Sequence, residues 1–226
     1  MSEENTQEYT SVDYLHESAD FLRTLGSLLY KELSSDQIEA LAQYDFLAMK
    51  EEAESELLAE GFGGLGLYLR RKGTNVRQDL AVEYASIFLG AGVIKGLSAI
   101  PYESIFTSDE GLIMQDARVV VLRIYASNGF GIDPELNDAE DHLAFMLEFL
   151  AGMADKTADA LVADSEEAPA MIQTQIDFIN NHIMNWIDEL MEQFEKFATS
   201  VFYTSVMKIV KGYLIEHKAI LADIAE

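Results

Sequence analysis

The segment Pro101-Tyr102-Glu103-Ser104 has side chains suited to the wall of a binding pocket. Tyr102 offers an aromatic face, Glu103 an anion and Ser104 a hydroxyl, all on consecutive residues. The same segment also suits the first turn of a helix, where proline pre-sets the backbone and an acidic residue favours the positive end of the helix dipole. The residues alone therefore predict either a pocket wall or an ordinary helix start.

Two further groups combine a histidine with other side chains that can bind or react. Asp141 and His142 end an acidic run in which Asp138 is predicted to cap a helix. Adjacent residues of a helix point in different directions, so Asp141 and His142 make a poor catalytic dyad. His182 and Trp186 are four residues apart and share a helix face. We interpret this second pair mainly as core residues, with a possible contribution to a pocket.

The sequence lacks the common patterns of metal and nucleophilic catalysis. None of its four histidines has a glutamate three residues before it, and neither H-E-x-x-H nor G-x-S-x-G occurs. Cysteine is absent as well, which removes disulfides and thiolate ligands. We expect a protein that is not an enzyme and has no metal. A metal-dependent hydrolase using Asp141 and His142 is the weakest alternative.

The composition predicts a folded, very acidic protein. Of its 226 residues 49% are hydrophobic, and the net charge is −25. Residues 1–60 hold 15 acidic and 3 basic side chains, and residues 133–195 hold 16 and 1. Such a surface repels nucleic acid and attracts cationic peptides, although solubility or a high-salt habitat explains it equally well. Without an apolar run long enough to span a membrane or a signal-like N-terminus, we expect a cytoplasmic protein with no stable membrane insertion.

Helical periodicity extends over most of the chain. The predicted class is all-α, a single globular domain of about ten helices in two lobes. The lobes are residues 1–132 and 133–226, with a hinge near 127–137 where Gly and Pro interrupt the helical pattern. Helices are predicted over 11–32, 34–42, 46–60, 80–90, 112–126, 138–154, 170–191 and 195–222.

The stretch Gly61-Phe62-Gly63-Gly64-Leu65-Gly66 matches the spelling G-x-G-x-x-G of dinucleotide-binding loops. In those folds the glycines follow a strand, whereas here the preceding residues are helical in pattern. We therefore interpret Gly61 as the end of the helix over 46–60.

The order of these motifs resembles that of the TorD/DmsD-type chaperones of molybdenum-enzyme maturation. A helix containing Glu83-Tyr84-Ala85-Ser86-Ile87-Phe88 precedes the P-Y-E-S segment, a D-H pair follows, and His182-x-x-x-Trp186 comes later. Relatives carry proline where this chain has Ala139, which puts the stiffness of that connection in question.

The resemblance implies a molecular chaperone for a molybdopterin oxidoreductase. Such a chaperone binds the twin-arginine leader of that enzyme, its unfinished body, or both, and aids cofactor insertion and export proofreading. It also implies a monomer or a domain-swapped homodimer, no cofactor, and at most weak binding of a guanine nucleotide. An all-α module for another protein partner is the alternative. The expected leader and client site consists of Tyr84, Phe88, Tyr102, Glu103, Ser104, Asp141 and His142.

Overall fold

The computed structural model describes residues 9–71, 75–89, 99–131 and 138–226, and these residues form helices joined by short connections. They contain no β-strand, and their only β-type pairing is an isolated bridge between Tyr102 and His142. The predicted all-α class is therefore confirmed. The helices are α1 Ser11–Tyr30, α2 Ser35–Leu41, α3 Phe46–Glu52, α4 Glu56–Leu69, α5 Val76–Phe88, α6 Glu103–Thr107, α7 Asp116–Ser127, α8 Leu143–Val162, α9 Ala168–Phe178, a π-helix Ile179–Ile183, α10 Ile187–Phe197 and α11 Val201–Ile224.

Local sequence signals account for several helix starts. Ser34 caps α2 through a reciprocal capping box with Gln37, as expected from its place before the first apolar residues. Pro169 lies in the first turn of α9, where its missing N–H costs no helical hydrogen bond. Thr10 and Asp13 form a second capping box at the start of α1.

The predicted helix over 46–60, ending at Gly61, is wrong. The chain breaks at Ala53, and Ser55 caps a new helix, α4, that contains the whole glycine-rich stretch. The glycines serve helix packing, because a Cβ on Gly61 would lie 2.6 Å from Cγ1 of Ile209 and 3.0 Å from the carbonyl oxygen of Ser205 on α11. Without side chains at these positions, α4 and α11 approach each other closely.

Several other predicted boundaries also differ from the structure: α5 starts at Val76 and not at residue 80, and α7 starts at Asp116 and not at residue 112. The single helix expected over 170–191 is divided into three elements: α9, the π-helix and the first turn of α10, which begins after Trp186. The helix expected from residue 195 is α11, which starts at Val201 because α10 extends to Phe197. The helix expected from residue 138 is α8, which starts at Leu143.

The core is formed by helices from both ends of the chain. The N-terminal helix α1 packs along α8, and α4 packs along α11. Trp186, Phe178 and Tyr203 are among its largest fully buried side chains. The division into two lobes stays a prediction, and residues 132–137 of the predicted hinge lie outside the described part of the chain.

Candidate functional site

The P-Y-E-S and D-H segments, far apart in sequence, are joined through their backbones. The amide of Glu103 donates to the carbonyl of Asp141 at 3.1 Å, and that of Leu143 donates to the carbonyl of Pro101 at 2.8 Å. These bonds flank the bridge between Tyr102 and His142, whose rings meet edge to face with centroids 4.8 Å apart. The structure thus brings the two sequence motifs into a single junction.

Pro101 does not begin a helix, contrary to one sequence interpretation. The one-turn helix α6 starts at Glu103, with Tyr102 at the N-cap position. Tyr102 is in extended conformation, as is usual for an N-cap residue, and the bridge is formed by the flanking backbone groups of Pro101 and Glu103.

Asp141 and Ser104 tie α6 to the start of α8 beneath the surface. Oδ2 of Asp141 accepts a hydrogen bond from the amide of Ser104 at 2.8 Å, and Oγ of Ser104 accepts one from the amide of Gln115 at 3.2 Å. Both side chains are fully buried. Asp141 therefore satisfies the N-terminal end of α6, where a negative charge is favoured.

His142, not Asp138, is the N-cap of α8. Its Nδ1 accepts a hydrogen bond from the amide of Ala144 at 3.1 Å. Burial lowers the pKa of His142 to about 4, so the imidazole is neutral near pH 7 and keeps a lone pair for this bond. The prediction that Asp138 caps this helix is wrong, since α8 begins five residues later.

The carboxylate of Glu103 contacts His182. Both carboxylate oxygens of Glu103 lie 3.1 Å from Nδ1 of His182, and the Glu103 side chain is only 4% exposed. Trp186 donates from Nε1 to the carbonyl of His182 at 2.5 Å and stacks on Phe106 of α6, with ring centroids 5.3 Å apart. His182 and Trp186 therefore hold α6 from the C-terminal part of the chain. The π-helix, a feature frequent at functional sites, carries His182.

Tyr84 and Phe88 lie beside this junction and are almost completely buried. Their rings stack with centroids 4.5 Å apart, and Tyr84 donates from its hydroxyl to the carbonyl of Tyr30 at 2.5 Å. Phe88 packs edge to face against Phe194 and Tyr203. Both residues belong to the predicted leader and client site, and both are 5% exposed, so in this conformation they support the site from within.

The partly exposed face of the junction consists of aromatic residues around Asp138. Tyr102 donates from its hydroxyl to Asp138, and the ring of Tyr30 lies 5.0 Å from that of Phe145, centroid to centroid. Burial raises the pKa of Tyr84 to about 12, and the negative charge of Asp138 adds to this shift. Burial likewise raises the pKa of Tyr30, again with Asp138 contributing. The carboxylate of Asp138 thus imposes a negative potential on the surrounding tyrosines.

The sequence interpretation missed the roles of Asp138, Tyr30 and Phe145 at this face. Asp138 carried a usable signal, because it belongs to the same acidic run as Asp141. Tyr30 and Phe145 carried none, since both fit the apolar periodicity of their helices. Their contact with the junction follows from the packing of α1 against α8.

The described residues contain neither a membrane-spanning helix nor a metal-binding cluster. None of their helices is long and apolar enough to cross a membrane. Over the same ranges, no group of three or more His, Asp and Glu side chains is arranged to hold a metal ion.

Comparison with known proteins identifies relatives over nearly the whole chain. The chaperone protein TorD of Vibrio cholerae (strain ATCC 39541) is 26% identical over 210 residues, covering 89% of this chain and 90% of that protein. TorD of Vibrio parahaemolyticus is 28% identical over 193 residues, covering 83% and 86%. A crystal structure described as a candidate redox enzyme maturation protein from Archaeoglobus fulgidus matches with a TM-score of 0.45 and 20% identity, covering 90% of this chain and 93% of the other.

The match to a protein family covers the candidate site itself. Residues 51–192 match the model of the family described as nitrate reductase delta subunit, and this range includes Tyr84, Tyr102, His142 and Trp186. Together with the TorD relatives, it confirms the resemblance to TorD-type chaperones that the motifs indicated. The chain therefore belongs to the nitrate reductase delta subunit family, which includes the TorD-type chaperones.

Proposed function

We propose that this protein is a chaperone that binds the twin-arginine leader, and also the unfinished body, of a molybdopterin oxidoreductase before cofactor insertion and export. The observation that carries the proposal is the union of the P-Y-E-S and D-H segments at the Tyr102–His142 bridge. The names of the TorD relatives, which are chaperones, support it. The cytoplasmic location, the oligomeric state and weak nucleotide binding stay predictions of the resemblance.

We place the first contact with the leader at the partly exposed face around Asp138. A guanidinium group can make two charge-assisted hydrogen bonds to a carboxylate, and a partly desolvated carboxylate strengthens them. Tyr102 and Tyr30 supply aromatic faces near Asp138, and Phe145 extends this aromatic surface beside Tyr30, so that an arginine or an apolar side chain can pack there. This arrangement suits a peptide that carries both kinds of side chain.

The buried residues of the predicted site act in this proposal through position and charge. Glu103 and Asp141 are 3% and 0% exposed, so a leader arginine cannot reach them without rearrangement. Their carboxylates add negative charge below the surface, where weak screening extends its effect. Ser104 and His142 fix the junction, and Tyr84 supports Tyr30 from below.

Peptide binding tests the proposal. A synthetic leader peptide with an Arg-Arg pair and its Lys-Lys variant are compared by fluorescence anisotropy at low and physiological salt. We expect tighter binding of the Arg-Arg peptide, because lysine lacks the planar fork that pairs with carboxylates. Equal affinity for both peptides would refute leader recognition.

Two variants locate the contact. Asp138→Asn should weaken binding of the Arg-Arg peptide about tenfold, the equivalent of one charge-assisted hydrogen bond. Asp159→Asn is the matched control, because Asp159 is an exposed acid on α8 and its loss changes the net charge equally. Equal effects of the two variants would indicate general attraction to an acidic surface, with no specific role for Asp138.

A further inference from the structure

A groove along another side of α1 has the properties of a second peptide-binding surface. Two adjoining hollows of about 240 and 500 Å³ lie between α1, α3, α4 and α11. Glu17, Phe21, Met49 and Phe62 line both hollows, so the two form one continuous depression. None of its lining residues belongs to the site predicted from sequence.

The floor of this groove is apolar. Leu25, Leu28 and Leu65 extend the surface formed by Phe21 and Phe62 in the smaller hollow. A cavity of about 150 Å³ lined by aliphatic side chains is enough to bind benzene, so 240 Å³ accepts at least one large apolar side chain. The larger hollow is wider and continues toward the C-terminal half of α11.

Every charged side chain that lines either hollow is acidic. They are Glu17, Asp20, Glu52, Glu54 and Glu216. In addition, Oε1 of Glu216 is buried without a hydrogen-bond partner among the described residues. A buried carboxylate oxygen left in this state is costly, and a cationic donor from a ligand would satisfy it.

We infer that this groove binds the apolar stretch of the client's leader, with basic residues other than the arginine pair at its acidic rim. The inference rests on the proposed function and assigns the apolar part of the peptide to a surface distinct from the Asp138 face. An apolar floor with a uniformly acidic rim complements an apolar segment flanked by cations, as in other groove-bound peptides. A second copy of this very acidic chain would be repelled by the same rim.

The two surfaces share α1 but lie on different sides of it. Phe21 in the groove and Tyr30 at the junction are nine residues apart, which corresponds to about 13 Å along the axis and about two and a half turns, so the two side chains are on opposite faces of the helix. An extended peptide covers the axial distance in about four residues, and the path around the helix adds to this length. A leader with its arginines near Asp138 and its apolar stretch in the groove therefore needs a longer connecting segment between the two parts.

The test combines a groove variant with a peptide variant. The double substitution Glu17→Gln/Asp20→Asn removes two rim charges from exposed positions, and Met49→Gln makes the floor polar at a partly exposed position. The probes are the Arg-Arg peptide with a leucine-rich stretch flanked by a lysine and the same peptide with only the leucine-rich stretch replaced by serine and glycine. Thermal unfolding of each variant checks that the fold is retained.

We expect the double variant to bind the leucine-rich peptide about tenfold more weakly and with a shallower dependence on salt. Met49→Gln should weaken binding of the leucine-rich peptide several-fold and leave the serine-glycine peptide unaffected. The matched control Asp159→Asn/Glu166→Gln also removes two exposed acidic charges, and it should have little effect.

The outcomes separate the inference from the proposed function. If the protein discriminates between the Arg-Arg and Lys-Lys peptides but all groove variants bind the leucine-rich peptide with unchanged affinity, the groove is not a binding surface. The proposal of a leader site around Asp138 would be unaffected by that result. Weakening by the control pair to the same degree as by the groove pair would also overturn it. Absence of peptide binding to the unaltered protein would refute the proposed function itself.

Discussion

Glu83 provides a demanding test of how the site is held together. It belongs to α5, and its carboxylate accepts hydrogen bonds from the amides of Thr199 and Ser200, both at 2.7 Å, and from the hydroxyl of Ser200 at 2.6 Å. Ser200 is the N-cap of α11, and Glu83 is 2% exposed. One buried charge therefore satisfies three donors at the start of the helix that packs on α4.

The expected loss of stability follows from these contacts. Glu83→Ala leaves two backbone N–H groups and a hydroxyl without their charged acceptor; a buried donor left unpaired costs about 1–3 kcal/mol, so we expect a loss of about 3–5 kcal/mol. Glu83→Gln keeps one carbonyl oxygen for the two amides but loses the charge at the helix N-terminus and the acceptor of the Ser200 hydroxyl, so we expect about 1–2 kcal/mol. In a protein of this size the alanine variant should unfold roughly 10 °C lower.

Urea unfolding followed by far-UV circular dichroism measures these differences, since the described residues are mostly helical. The control is Asp79→Asn, an exposed acid on the same helix, with an expected change within about 0.5 kcal/mol. The loss in Glu83→Ala should persist at about 1 M salt, because buried interactions are weakly screened. A loss below about 1 kcal/mol, or one that disappears in salt, would refute the assigned capping role.

Further predictions concern packing and pH. Gly61→Ala should destabilise the fold by about 1–3 kcal/mol because its Cβ would overlap Ile209. Gly131→Ala is the control and should be neutral, because a Cβ at that position has no other atom within 4 Å. Thermal unfolding of the two variants measures the difference. Burial lowers the pKa of His217 to about 4 from its ordinary 6.5, so the unfolded state binds the proton first as pH falls. The contribution of His217 to the free energy of unfolding should therefore decrease by about 3 kcal/mol between pH 7 and 4. His142, whose pKa is also lowered to about 4, should add a similar loss, so His217→Gln should flatten the slope only in part in urea titrations. An unchanged slope in this variant would exclude His217 as a contributor.

Helices with strong local signals were predictable from the sequence. The periodic apolar residues of α1, the cap at Ser34 and the proline in the first turn of α9 all act within a few residues of chain. Capping and helical periodicity depend on neighbours three or four residues away, so their outcome can be deduced without knowledge of the fold.

Boundaries that depend on distant contacts were not predictable in the same way. Gly61 has the signature of a helix end, yet it lies within α4 because α11 packs against it. Tyr102 follows a proline suited to a helix start, yet it pairs with His142 in a bridge. In both cases packing or pairing with a remote segment outweighs the local preference.

The sequence by itself determined the all-α class, the acidic character and the motif order that identifies the family. Only the tertiary structure decided what the motif residues contact: Glu103 meets His182, Asp141 meets the amide of Ser104, and Asp138 remains at the surface. The reason is that composition and helical period are properties of the chain itself. Burial and pairing across 37 or 79 residues depend on how separate helices pack, which no local pattern encodes.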